Sequence, residues 1–213
     1  SFAVITALTI ASLAPSVHAA VSPANDPATV IANVVDGSGN PQSFQATTVL
    51  QLRQRGFPFM RVTLNGTSYF EAPDRYAVKF TNVPSIMRDF PSAYAKMMNV
   101  GAWLQHYSLS LDEMQPINGH SDLSLRLSAG DHKSTDRGEA LINPETWTID
   151  QLRWDLSNGS HFTIDQSYTV LGPYRVLASQ MLSLQVPYAK ADGSATFRDY
   201  RMNVALNDQL FAL

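Results

Sequence analysis

The sequence predicts a mainly β fold with few helices, built on a single curved antiparallel sheet of about eleven strands. Three features carry that expectation. Apolar and polar residues alternate with period two over most of the chain, Asn-Gly dipeptides separate several alternating runs, and there is no regular strand-helix-strand rhythm. Alternation places successive side chains on opposite faces of a sheet, one toward the core and one wetter. Asn-Gly favours tight hairpins because both residues tolerate positive φ, so sequential strands are expected to pair antiparallel.

The first twenty residues carry no charge, and Phe2 to Ala14 is a mainly apolar run. Its length suits the central region of a signal peptide and falls short of the roughly 20 residues needed to span a bilayer. Pro15 and Ser16 break the run, and Val17-His18-Ala19 then supplies a peptidase-type cleavage site. Residues 1–19 are therefore read as a cleavable signal peptide and 20–213 as one domain. Because the sequence starts at Ser1, without the basic segment that normally precedes such a run, a short N-terminal piece is expected to be missing. With no cysteine, the exported chain has neither a thiol for lipid attachment nor a disulfide, and its core alone must stabilise it.

Asp26-Pro27 reads as an N-cap followed by a proline in the first turn, with Val30, Ile31, Val34 and Val35 on one helical face. The run Asp36-Gly37-Ser38-Gly39-Asn40-Pro41 ends that helix. Phe44, Ala46, Thr48, Leu50 and Leu52 then alternate with Gln45, Thr47, Gln51 and Arg53, marking the first strand. The pattern returns around Met60-Val62-Leu64, Tyr76-Val78-Phe80, Tyr107-Leu109-Leu111 and Leu123-Leu125-Leu127. It continues through Leu152-Trp154-Leu156, Phe162-Ile164-Tyr168, Leu182-Leu184-Val186 and Tyr200-Met202-Val204. Asn65-Gly66, Asn118-Gly119 and Asn158-Gly159 are the predicted hairpin turns. One segment departs from this rhythm: between Pro84 and Gly101, Pro91 opens a helix with Tyr94, Met97 and Met98 on one side, and Ile86 and Phe90 cover its approach. A curved sheet with helices on one face alone leaves a concave side for those helices to cover.

The 213 residues, 45% of them hydrophobic, suffice for one sizeable core. A net charge of -3 with scattered basic residues excludes a nucleic-acid interface. Gly-x-Ser-x-Gly, His-Glu-x-x-His and phosphate-loop motifs are absent. His120 with Asp122, and Asp131 with His132, flank one predicted hairpin and are the candidates for a metal or general-base cluster, although turns attract polar residues in any case. No catalytic residue, metal or cofactor is assigned. Trp103, Trp147 and Trp154 are read as packing residues, with Trp154 a possible ligand contact beside Leu152 and Leu156.

Four stretches resemble the LolA-like periplasmic lipoprotein carriers and the outer-membrane lipoprotein-sorting proteins of the same fold. They are Ser43 to Gln51, Gly66 to Tyr76, Asn143-Pro144-Glu145-Thr146-Trp147-Thr148 leading to Asn158-Gly159, and Phe197 to Asn203 with Phe211 beyond. The resemblance runs loosely from Ala24 to the C-terminus. It implies a periplasmic, monomeric half-barrel that carries or chaperones the acyl chains of a lipoprotein or other lipid. The alternative it allows is an envelope sensor of the same fold that binds a membrane protein. The expected apolar cavity comprises Phe44, Leu50, Leu52, Tyr76, Val78, Phe80, Met97, Met98 and Trp154, with Met87, Met97 and Met98 giving the lid adaptable packing. The lipoprotein carriers place an arginine immediately before the proline of the strand junction, where this chain has Ala72, and Arg75 follows that proline. Lipid binding is therefore the broader expectation and lipoprotein shuttling the narrower one.

Overall fold

A computed structural model describes residues 26–56, 61–129, 136–187 and 189–212, without the side chain of Ile86. The predicted signal peptide, Met60, Asp131 and His132 lie outside the described residues. Helix α1 (Pro27–Gly37) begins where the capping signal places it. The Asp26 carboxylate accepts hydrogen bonds from the Thr29 backbone N–H at 3.1 Å and the Thr29 hydroxyl at 3.0 Å, satisfying a donor left free at the helix start. Val30 and Ile31 are buried against the sheet.

Three strands follow: β1 (Ser43–Gln54), β2 (Arg61–Glu71) and β3 (Arg75–Phe80). Next comes the helical segment, with a 3-10 turn at Ser85–Met87, α2 (Phe90–Met98), a second 3-10 turn at Val100–Ala102 and α3 (Trp103–His106). The chain then runs through β4 (Tyr107–Ile117), β5 (His120–Ala129), β6 (Arg137–Asn143), β7 (Thr148–Asp155), β8 (His161–Leu171), β9 (Tyr174–Val186) and β10 (Ala189–Met202). A final 3-10 turn spans Asp208–Leu210.

These ten strands form one open antiparallel sheet in the order β3-β2-β1-β10-β9-β8-β7-β6-β5-β4. Neighbours in sequence pair as hairpins, but β1 pairs with β10, Leu50 lying opposite Ala195. That one long-range pairing puts β3 and β4 at opposite edges of the sheet. The segment joining them must therefore travel from edge to edge, which is why α2 and α3 cross the concave side. Leu50, Leu125, Leu152, Ile164 and Leu182 line that side, and Tyr94, Met97 and Trp103 from the helical segment pack onto them. The half-barrel expectation holds, with ten strands among the described residues.

The predicted turn at Asn65-Gly66 is corrected: both residues lie inside β2, opposite Val49 and Thr48. Glycine is needed there for close approach, since a Cβ at Gly66 would lie 2.5 Å from the Lys79 carbonyl oxygen and 2.7 Å from the Phe80 ring. Asn118-Gly119 does make the β4–β5 turn, with φ of 49° and 88°. At Asn158-Gly159 only the glycine has positive φ, at 80°, and the Asn158 side chain instead accepts from the Ser160 N–H at 2.9 Å.

Candidate functional site

Between the sheet and the helices lies an apolar cavity of about 170 Å3. Val34 and Val35 of α1, Met98 of α2 and Val100 close it from the helical side. Phe44, Phe70, Tyr76, Leu152, Tyr168, Val176, Leu177, Phe197 and Tyr200 are among the residues that form the sheet side. Phe44 stacks on Phe70 at 5.3 Å and meets Tyr200 edge-on at 5.4 Å, so one corner is a wall of aromatic rings.

The tyrosines present rings to the cavity because their hydroxyls are tied elsewhere. Tyr200 donates to the Leu177 carbonyl at 2.7 Å and Tyr76 to Ser68 at 3.2 Å, while Tyr168 donates its single hydrogen between two acceptors, Gln166 Oε1 at 2.5 Å and the Ile149 carbonyl at 3.2 Å. Burial pushes the Tyr76 phenol up to about 12 and raises those of Tyr168 and Tyr200 further, so all three stay neutral donors.

Helix α2 is fastened to the sheet by a small buried polar latch. The Tyr94 hydroxyl donates to Gln180 Oε1 on β9, and Gln180 Nε2 lies 3.2 Å from Met98 Sδ. The segment after α2 is held at the β2–β3 junction, where Asn99 Nδ2 donates to the Asp74 carbonyl at 2.6 Å and Gln105 Nε2 to the Asp74 carboxylate at 2.6 Å. Gly101 permits this approach, because a Cβ there would sit 2.2 Å from the Pro73 carbonyl oxygen. Ala72 contributes no side-chain hydrogen bond of the kind an arginine makes. Arg75 turns to Glu71 at 2.5 Å, Asp208 at 2.8 Å and the face of Phe211 at 4.2 Å.

A second, wider opening of about 1240 Å3 lies between β3, α2, α3, the start of β4 and the C-terminal turn. Val78, Phe80, Ala95, Trp103 and Phe211 supply apolar surface, while Lys79, Arg88 and Lys96 contribute cations. Tyr76 and Asn99 line both spaces, which therefore share a wall.

Of the residues singled out from the sequence, Phe44, Tyr76 and Met98 meet at the inner cavity, and Tyr76, Val78 and Phe80 at the wide opening. Leu50, Leu52, Met97 and Trp154 are buried members of the packed core. Trp154 lies against Trp103 and Tyr107, with ring centroids 6.2 and 5.3 Å away. The sequence reading omitted Val34, Val35, Tyr168 and Tyr200 from the cavity, although each already lay on a recognised helical face or alternating run.

On the outer face, His120 and Asp122 of β5 are joined by Asp150 of β7. The pairing shifts between Leu141/Gln151 and Ile142/Ile149, leaving Asp150 as the extra, bulged residue that faces the pair. Burial, together with the charge of Asp150, pushes the Asp122 carboxyl up to about 6, against the opposing pull of His120. The His120 imidazole is raised: burial opposes its charge, but the Asp150 hydrogen bond and both carboxylates outweigh that.

The fold and cavity together define an open antiparallel half-barrel whose concave face is closed by helices. No protein-family model matches the chain, and no curated protein matches it in sequence. Solved structures share its fold. A LolA superfamily protein from Nitrosomonas europaea superposes with a TM-score of 0.64 at 9% identity, covering 87% of this chain and 97% of that one. A DUF1329 family protein from Desulfovibrio piger gives 0.62 at 11% identity, covering 87% and 96%. A proposed outer membrane lipoprotein-sorting protein domain from Vibrio parahaemolyticus gives 0.61 at 10% identity, covering 86% and 94%. The chain has the LolA-like fold. Among the described residues, no helix is long and apolar enough to cross a membrane.

Proposed function

We propose that the protein is a periplasmic carrier or chaperone that shelters the acyl chains of a lipid or lipoprotein between its sheet and its helices. The observation that supports this most is the apolar cavity walled by Phe44, Phe70, Tyr200, Val34 and Met98. Each methylene moved from water into such a space contributes about 0.8 kcal/mol, enough for an acyl chain to bind without any polar recognition. At about 170 Å3 the cavity is smaller than the roughly 300–1,000 Å3 typical of a ligand pocket. Loading a whole chain therefore requires α2 to move off the sheet, merging the inner cavity with the wide opening.

Organic extraction of the purified protein followed by mass spectrometry, with titration of a fluorescent fatty acid, tests the reading. Co-purifying acyl lipid and saturable binding are expected. Neither lipid nor saturable binding would overturn it, and lipid-independent capture of an envelope membrane protein would favour the sensor alternative.

A further inference from the structure

We propose that His120, Asp122 and Asp150 form a binding site for a divalent first-row transition cation, with Zn2+ as its probe. The site lies on the face of the sheet away from the acyl cavity, because Asp122 alternates with the core residues Leu123 and Leu125. The Asn118-Gly119 turn delivers His120 to the start of β5, and the β7 bulge delivers Asp150.

The geometry is that of ligands around a common point. His120 Nε2 lies 3.0 Å from Asp122 Oδ1 and 2.9 Å from Asp150 Oδ2. Atoms bonded to one ion at roughly 2.0–2.2 Å lie about 3 to 3.6 Å apart when adjacent, and the three ligand atoms here all lie within 4.8 Å of one another. The independent observation is Asp122 itself: its side chain is 0% exposed, and neither carboxylate oxygen has a hydrogen-bond donor. Nε2 carries at most one hydrogen, which cannot serve two carboxylates, and Asp150 is the hydrogen-bonded one. A buried carboxylate without a donor is strongly unfavourable. A cation at the shared point engages both carboxylates and the neutral imidazole, and two carboxylates balance its charge.

A supporting contact orients Asp150. The Thr148 hydroxyl donates to Asp150 Oδ1 at 3.1 Å. One nitrogen and two oxygens suit Zn2+ or Mn2+ rather than a thiolate-seeking ion. His120 remains one-third exposed, leaving room for water to complete the coordination. Bound there, the ion staples the β4–β5 hairpin across β6 to β7.

The test is Zn2+ binding to the chelator-stripped full chain by calorimetry, with thermal melts with and without the ion. One ion per chain and a rise in Tm are expected. His120→Ala, at the solvent-facing side of the site, and Asp150→Asn should each weaken binding at least tenfold and abolish the rise, with circular dichroism checking that they fold. His161→Ala, in the exposed His161–Asp155 pair, should bind as the wild type does. Wild type and His120→Ala binding Zn2+ with equal affinity would overturn the proposal and leave the cluster a hydrogen-bonded ion pair.

Discussion

Replacing Tyr94 by phenylalanine removes one oxygen and, with it, the hydroxyl that fastens α2 to β9. Tyr94 and Gln180 are each 1% exposed, so the variant strands the Gln180 amide oxygen in a dry environment. Leaving a buried acceptor without its donor costs about 1–3 kcal/mol. That cost falls on the closed arrangement alone, because once α2 lifts away water reaches Gln180. At about 1.4 kcal/mol per factor of ten, the closed-to-open equilibrium shifts roughly 5- to 140-fold toward opening. Stopped-flow uptake of a fluorescent fatty acid reads this as a faster entry rate. Tyr200→Phe is the matched control: it deletes a hydroxyl bonded to the Leu177 carbonyl at 2.7 Å, but that bond joins β10 to β9 within the sheet. Both variants should lose about 2–10 °C in Tm, and only Tyr94→Phe should load faster. Equal entry rates in Tyr94→Phe, Tyr200→Phe and wild type would show that the latch stabilises the fold without gating the cavity.

Val176→Asp buries an uncompensated carboxylate on the cavity wall and should abolish fatty-acid binding in the folded fraction, whereas Met181→Asp, at a site on the same strand that is 61% exposed, should bind normally; loss in both or neither refutes the placement. Gly66→Ala drives a methyl to within 2.5 Å of the Lys79 carbonyl oxygen and should destabilise by about 2 kcal/mol, read as a lower urea midpoint; an unchanged midpoint would contradict the close approach. In chelator-treated protein, Asp122→Asn should raise Tm at pH 7. The Asp122 carboxyl is pushed up to about 6 from an ordinary 3.8, so the wild type loses stability as pH climbs through that interval. The advantage of the asparagine should shrink toward pH 4, and an advantage independent of pH would place its cause elsewhere.

Local rules located the elements whose causes are local. Asp26 caps α1 through a contact three residues away, and Pro91 sits in the first turn of α2. The alternation of Ala46, Thr48, Leu50 and Leu52 survives as the buried face of β1. The same rules failed at Asn65-Gly66, where pairing of β2 with both β1 and β3 overrode a strong turn signal. They also could not separate Leu50 from Phe44. Period two assigns both to apolar positions, yet Leu50 lies in the packed core and Phe44 on the cavity wall, because α1 and α2 meet the sheet at one place and leave a gap at another. The His120 and Asp122 pair was visible as neighbours in sequence, but Asp150 joins them only through a bulge two strands away.

The sequence by itself determined that the chain is a meandering antiparallel sheet with an N-terminal helix and one helical interruption, since periodicity and capping act over a few residues. Tertiary structure decided the rest. Pairing β1 with β10 sends α2 and α3 across the concave face, and their seating determines where the apolar surface is packed and where it stays open. The physical reason is range: alternation selects a face of a strand, but a cavity or a three-ligand cluster exists only where strands far apart in the chain converge.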